Sequence, residues 1–496
     1  MKQPNILLIH ADQLRYDCIS PYGNQDVKTP ALEALAGEGA VYERHYCSYP
    51  VCTPSRCSLL GGQYTHQHLG WGNHCTFPSG LPSFPKVLRQ NGWQTAAVGK
   101  MHFTPTYLDM GFDRMTLSEQ DGDGRFDDDY HRELREHGLI DDIDIIDQRR
   151  EYRAHASREY FENYGVEVSD LPEEYHSTTW ITRQAVKEIS NWREDRPNLL
   201  MVGYIKPHHP FDPPARYAEM YDPDALTLLP GMTEALLDQD IKFRPGYFDY
   251  TGLDEPKLRK MLAYYYACIT QIDDGVAEMI RLLKEKGVYD NTMIIFTSDH
   301  GDFMGFHHMG LKGNHMYEPL VHIPLVIRYP DGAKKGRYDG LNSNVDVAGE
   351  ILRTCGLPIS PFMADHPLDQ GRPYVLAEQM YLTETDATYF YMIRDHRYKL
   401  LVERNLKNGM LFDLEEDPNE LNNLWDDPTL SAVKMQLYAD LLEALAFDGA
   451  AGMNLDEDAP VNCPENARNE AKRQEMREYF YRTSRVGTLV EKAQTK

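Results

Sequence analysis

Four places in the chain set reactive polar residues directly after a short apolar run. Asn5–His10 (NILLIH) leads into Asp12-Gln13, and Gln94–Val98 leads into Gly99-Lys100-Met101-His102. Leu199–Ile205 (LLMVGYI) leads into Lys206-Pro207-His208-His209-Pro210, and Met293–Ser298 (MIIFTS) into Asp299-His300-Gly301-Asp302. One such junction is ordinary turn chemistry, because Asp and Asn readily close turns. Four of them match the carboxyl edge of an open parallel sheet, where ligands bind. Asp12, Gln13 and Asp299 offer hard oxygens and His300 an imidazole, a set that suits Ca²⁺, Mg²⁺ or Mn²⁺. Zinc fits less well, since the thiols are not clustered at ligand spacing. Asp121-Gly122-Asp123-Gly124 opens like a calcium loop. Arg125, Phe126 and Arg132 then fall where calcium needs other residues, so the stretch reads as a solvated acidic loop.

The nucleophile candidate lies in Cys52-Thr53-Pro54-Ser55-Arg56-Cys57-Ser58-Leu59-Leu60. Pro54 can open a helix that continues through Leu60 and stops at Gly61-Gly62. Cys52 then sits at a helix N-terminus, where free N–H groups and the dipole favour an anion. Arg56, one turn on, can reach back to hold that anion, so the arrangement suits a tetrahedral oxyanion. An isolated cysteine is more often a buried core thiol. The Cys-x-Pro-x-Arg spacing is what sets this one apart.

The elements that must position these groups follow from the pattern of the rest. Apolar runs alternate with amphipathic stretches, which predicts an α/β fold with a parallel sheet covered by helices. Thr29-Pro30 opens a helix with Leu32 and Leu35 on one face, stopped by Gly37. Leu325–Arg328 is a further strand, and a long helix is predicted over 257–286. The expected fold is a large mixed, mostly parallel sheet sandwiched by helices, with a smaller C-terminal antiparallel-sheet subdomain. The first domain spans 1–375 and carries an acidic insertion of loops and short helices at 105–175; the second spans 376–447. Strands at Tyr389–Ile393, Tyr398–Val402 and Met410–Asp413 and a closing helix near 428–446 belong to the latter. Residues 448–496 form a linker and a tail with one helix at 465–483, expected to be solvated or to touch a partner.

Composition excludes several classes. The 496 residues carry a net charge of −26, which disfavours nucleic acid and anionic membrane surfaces. At 42% hydrophobic residues the chain can bury a large core. No run approaches the ~18 apolar residues of a membrane span. No signal-peptide pattern opens the chain, and the eight cysteines form no Cys-x-x-Cys pair, so a soluble cytoplasmic protein is expected.

In these motifs the chain resembles the type I, formylglycine-dependent sulfatases of the alkaline phosphatase superfamily. Cys52-Thr53-Pro54-Ser55-Arg56 fits their Cys-x-Pro-Ser-Arg signature, followed by Ser58-Leu59-Leu60-x-Gly62-x-Tyr64. Gly99-Lys100-x-His102, Lys206-Pro207-His208-x-Pro210, Ser298-Asp299-His300-Gly301 and Tyr398-Lys399-Leu400 also fit, so the likeness spans most of the chain.

The resemblance implies that a maturase oxidises Cys52 to formylglycine, whose hydrate attacks the sulfur of a small sulfated substrate. Asp12, Gln13, Asp299 and His300, with the modified Cys52, would hold one divalent metal, calcium first and magnesium or manganese behind it. Arg56 would steady the hydrate, while Lys100 and Lys312 would hold sulfate oxygens. His208, with Lys312, would protonate the leaving alcohol, and His102 would deprotonate the second hydroxyl to release sulfate. Many members carry Asp-Asp where this chain has Asp12-Gln13, and Asp-Asn where it has Asp299-His300, which leaves the metal's identity open. Phosphonate monoester and phosphodiester hydrolases of the same superfamily are the rival reading. His66, His68, Asn73, His74, His307 and His308 are candidates near the substrate, and His209 is expected to fix its loop. Tyr264, Tyr265 and Tyr266 are expected to pack. The tail helix is a candidate contact in a homo-oligomer.

Overall fold

The computed structural model describes residues 3–120, 126–243, 248–313, 315–382, 387–405, 407–446, 463 and 469–494. The acidic loop at Asp121-Gly122-Asp123-Gly124 and the linker expected from 448 to 462 lie outside them. The strands of the large sheet are β1 (Asn5–Asp12), β2 (Ala40–Tyr46), β3 (Gln94–Gly99), β4 (Arg114–Leu117), β5 (Asn198–Pro207), β6 (Thr292–Ser298), β7 (Leu325–Arg328) and β8 (Gly336–Ser343). They lie in the order β4-β3-β5-β1-β6-β7-β2-β8, parallel except for β7. Each strand predicted for this sheet appears; Leu325–Arg328 keeps its bounds and the other four are extended by one to three residues, because neighbours on both sides keep the backbone paired past the apolar run.

Successive side chains of a strand face opposite sides of the sheet. Leu7, Ile9, Val98, Leu200, Val202, Ile294 and Phe296 pack with the helices Pro30–Glu38, Ser177–Ser190 and Glu255–Glu285. Ile6, Leu8, Ala97, Leu199, Met201, Met293 and Ile295 pack with Cys52–Gly61, Phe84–Gln90 and Val345–Thr354. The first of these helices runs through Gly37 and ends at Gly39, where the backbone turns extended beside Ile327. Gly37 meets no neighbour and imposes no stop.

A second sheet holds β9 (Val375–Leu382), β10 (Ala387–Arg394), β11 (Tyr398–Glu403) and β12 (Gly409–Asp413), antiparallel in the order β12-β11-β10-β9. One face carries the helix Ser431–Ala444 through Leu437 and Leu441. The other packs Phe390, Met392, Leu401 and Phe412 on Phe303, Phe306, Met309 and Tyr317. The segment bearing Lys312 is thus covered by this second sheet.

The insertion at 105–175 adds β4 to the sheet edge and four short helices, among them Asp129–Glu136 and Asp142–Gln148. The tail is neither free nor solvated along its apolar side. Its helix Glu470–Thr483 lays Phe480 against Phe126 at 4.9 Å, and Arg473 pairs with Asp127 at 2.7 Å. Amphipathic spacing alone does not say whether such a face meets this chain or another. No described helix is long and apolar enough to cross a membrane.

Candidate active site

The helix Cys52–Gly61 follows Val51 in extended backbone and ends at Gly62, whose φ of +62° suits glycine. All ten of its residues are buried. Arg56 spans two strand ends: Nη2 donates to Asp12 Oδ2 at 3.0 Å and Nε to Asp299 Oδ2 at 2.9 Å. Lys100 Nζ lies 2.8 Å from Asp12 Oδ2. These four side chains have no exposure, so the two cations and two carboxylates neutralise one another out of water. Burial alone would raise the Asp12 carboxyl. Lys100, His208, Arg56 and Lys312 nevertheless hold it well below the usual range. Ser55 Oγ donates to the Asp299 carbonyl at 2.6 Å and accepts from Asn344, so the signature serine fixes the second carboxylate loop.

Ligand atoms of Asp12, Cys52, Asp299 and His300 all lie within 4.8 Å of one another. Gln13 joins them from a left-handed backbone, φ 63°. Its N–H donates to Asp299 Oδ1 at 3.0 Å, its carbonyl accepts from Tyr265 at 2.7 Å, and its Nε2 donates to Asp302 at 2.5 Å. That leaves Gln13 Oε1 buried with no hydrogen-bond partner among the described residues. A buried acceptor normally costs ~1–3 kcal/mol when unsatisfied. Beside two carboxylates, such an oxygen fits a hard cation. His300 Nδ1 lies 2.9 Å from the Gly301 carbonyl and must donate to it, which aims Nε2 at Cys52 Sγ, 3.3 Å away.

Lys312 closes the site from the loop after β6. Its Nζ lies 3.0 Å from Cys52 Sγ and 2.9 Å from His208 Nε2. Burial and Asp12 push the Cys52 thiol up. Lys312, Lys100 and His300 outweigh them and bring it well below its usual value. His208 Nδ1 donates to the His209 carbonyl at 2.6 Å, so its Nε2 is the acceptor facing Lys312. Burial and Lys312 both drive His208 well below the ordinary histidine range. The shared proton of that pair therefore rests on Lys312. His102 stands at φ 56° with both ring nitrogens buried and unpartnered. Its N–H and that of Met101 donate to Glu119.

Residues 4–357 match the sulfatase family, and 307–446 match the N-sulphoglucosamine sulphohydrolase C-terminal region. The chain belongs to the sulfatase family. An arylsulfatase of Clostridium perfringens is 28% identical over 85% of this chain and 90% of its own length. A choline-sulfatase of Rhizobium meliloti is 29% identical over 90% and 88%. Among solved structures, a phosphonate monoester hydrolase of Agrobacterium radiobacter superposes with a TM-score of 0.73 at 24% identity, over 93% of this chain and 100% of that one.

The sulfatase, which hydrolyses sulfate esters, brings Asp12, Gln13, Cys52, Arg56, Lys100, His208, Asp299, His300 and Lys312 to one point. The outer histidines behave differently. His68 accepts from Gly70 N–H and meets Ser58 Oγ at 2.9 Å, and His307 bonds Asp240 and the Asn419 carbonyl, so both are spent on the fold. His308 meets the Thr233 carbonyl at 3.0 Å, and His66 meets Glu378 from β9 at 3.0 Å. Asn73 Oδ1 accepts from Thr53 N–H at 3.1 Å in the first turn of the Cys52 helix, and His74 is exposed. His209 is fixed by Asp147 at 2.5 Å, as its loop role requires. Tyr265 does more than pack, since its hydroxyl bonds the Gln13 carbonyl and the Arg15 N–H. Glu119, Gln120 and Asp147 were not found by sequence reasoning, and Asp302 was noted there without a role. Only Asp302 carried a signal, as the second acid of Asp299-His300-Gly301-Asp302.

Proposed function

We propose that the sulfatase cleaves a small sulfate monoester at Cys52, oxidised to formylglycine by a formylglycine-generating maturase. The observation that carries this reading is the placement of Cys52 Sγ, which shares one buried donor cluster with Asp12, Asp299 and His300 and takes Lys312 at 3.0 Å. Asp12, Gln13, Asp299 and His300 would hold a divalent cation, calcium first because oxygens dominate the set. When bound, the cation supplies charge neutralisation and acidity at the hydrated side chain of residue 52.

The chain's own groups do the rest. Arg56, locked by two carboxylates, fixes the side chain of residue 52 and adds positive field. Lys100 and Lys312 bind sulfate oxygens and stabilise charge as it grows. The proton for the leaving alcohol comes from the Lys312–His208 pair: Lys312 holds it at rest, His208 Nε2 receives it, and His208 delivers it to the alcohol oxygen as the S–O bond breaks, leaving both side chains neutral. His102, whose ring nitrogens have no other partner, takes the proton that frees sulfate.

The replacement of a second carboxylate by Gln13 favours a phosphonate or phosphodiester as the second reading. Parallel rates on a sulfate and a phosphonate ester decide between them. The mass of the Cys52 peptide after co-expression with a maturase tests the modification, which lightens it by about one water. An intact thiol despite a competent maturase overturns the mechanism. An intracellular substrate is part of this proposal, and recovery of the protein from a periplasmic or secreted fraction overturns it.

A further inference from the structure

We propose that Gln120 is a positioning residue that ties sulfate-holding Lys100 to the leaving-group pair Lys312–His208; this rests on the roles proposed above. Gln120 comes from the insertion, three residues after β4, and is fully buried. Its Oε1 accepts from Lys100 Nζ at 3.1 Å. Its Nε2 donates to the His209 carbonyl at 2.7 Å and to Asp144 Oδ1 at 3.1 Å. The amide cannot flip, because that would set its NH₂ against an ammonium and its oxygen against a carboxylate.

The His209 carbonyl is the decisive atom. It is the acceptor for His208 Nδ1 at 2.6 Å and is also held by Gln148 Nε2 at 3.1 Å. Whatever fixes that oxygen fixes the His208 tautomer, and hence which nitrogen faces Lys312. Gln120 thus spans, through one neutral side chain, the group that holds the sulfate and the group that manages the leaving-group proton. Neutrality matters: a carboxylate here would face Asp144 and would draw the Lys100 charge away from Asp12. The insertion's Asp144 is itself pinned, its N–H donating to Asp141 Oδ1 at 3.2 Å.

The test uses matured, metal-loaded Gln120→Met on aryl sulfates of graded leaving-group acidity, with His208→Ala run on the same series. A residue that positions the leaving-group acid costs most where the leaving group needs its proton most. The expected result is a kcat/KM loss of ~10- to 100-fold for the poorest leaving group, shrinking toward the best, with KM moving less than kcat. His208→Ala is expected to slope the same way and more steeply. A sloped His208→Ala series with a flat or absent Gln120→Met loss overturns the inference alone. A flat His208→Ala series overturns the role of His208 and this inference with it. If Gln120→Met does not fold, Gln120→Leu, also neutral and without the amide, carries the same comparison.

Discussion

The carboxyl edge of the large sheet and the insertion at 105–175 both line the site, and they contribute in different ways. The edge of β1, β3, β5 and β6 delivers the groups placed to react: Asp12 and Gln13, Lys100 and His102, His208, Asp299 and His300. The insertion delivers Glu119, Gln120 and Asp147, which touch backbone and side chains of that edge, and Asp144, which holds Gln120. Strand ends are held by ladder hydrogen bonds on both sides, so they can place charge within tenths of an ångström. Beyond β4, which pairs with β3, and an isolated bridge between Val166 and Phe211, the insertion is held by its own buried polar contacts, by the tail helix and by the core beneath it.

This contrast can be broken at either region. The largest effect is expected at the edge: Cys52→Ala should lower turnover at least ~10³-fold. Its melting temperature should fall by only ~2–4 °C, the shift expected of a 1 kcal/mol loss in a larger domain. Melting with loss of fold would make Cys52 a packing residue instead. Chelation comes next. Stripping divalent cations should abolish turnover while leaving the fold, and calcium should restore it; full activity in chelator would remove the cation from the donor set of Gln13 Oε1 and its neighbours.

At the insertion, away from Gln120, the effects are on stability. Phe480→Ala removes the ring stacked on Phe126 and should cost ~3–5 kcal/mol, read by denaturant unfolding, with faster hydrogen exchange confined to the insertion and tail. Uniform exchange across the sheet would mean that the tail does not brace the insertion. Asp147→Asn should cost less, ~1–3 kcal/mol. Burial alone would raise the Asp147 carboxyl, but His209 and the Tyr160 hydroxyl bring it below its ordinary 3.8. A carboxyl lowered by folding stabilises the protein above its unfolded value and loses that contribution as pH falls. The gap between wild type and Asp147→Asn should therefore be full above pH 3.8 and close on acidification below it. A gap that widens in acid would show that the pair does not hold His209.

Much of this molecule was legible without coordinates. The predicted strands at 5, 94, 199, 293 and 325, the long helix and the helix after Cys52 all appear, because each is a local apolar pattern with its own start and stop. The edge strands β4 and β8 were missed, as were β2, which lies between β7 and β8, and β9: their patterns are short, interrupted or polar, and only pairing with a neighbour makes them strands. The tail shows the same limit from the other side, since its helix was legible and its docking on Phe126 was not.

Sequence by itself determined which residues stand at the strand ends and that Cys52 opens a helix with Arg56 one turn on. Those are matters of spacing within a few residues. Tertiary structure decided that Arg56 bridges Asp12 and Asp299, that Gln13 Oε1 is left without a partner, and that the proton of the His208–Lys312 pair sits on the lysine. It also decided that Gln120 meets Lys100 and the His209 carbonyl. The physical reason is that each of these depends on which residues from other parts of the chain come within hydrogen-bond reach, or fail to. A buried polar group takes whatever partner the packing brings within 3 Å, and no local pattern records which one that will be.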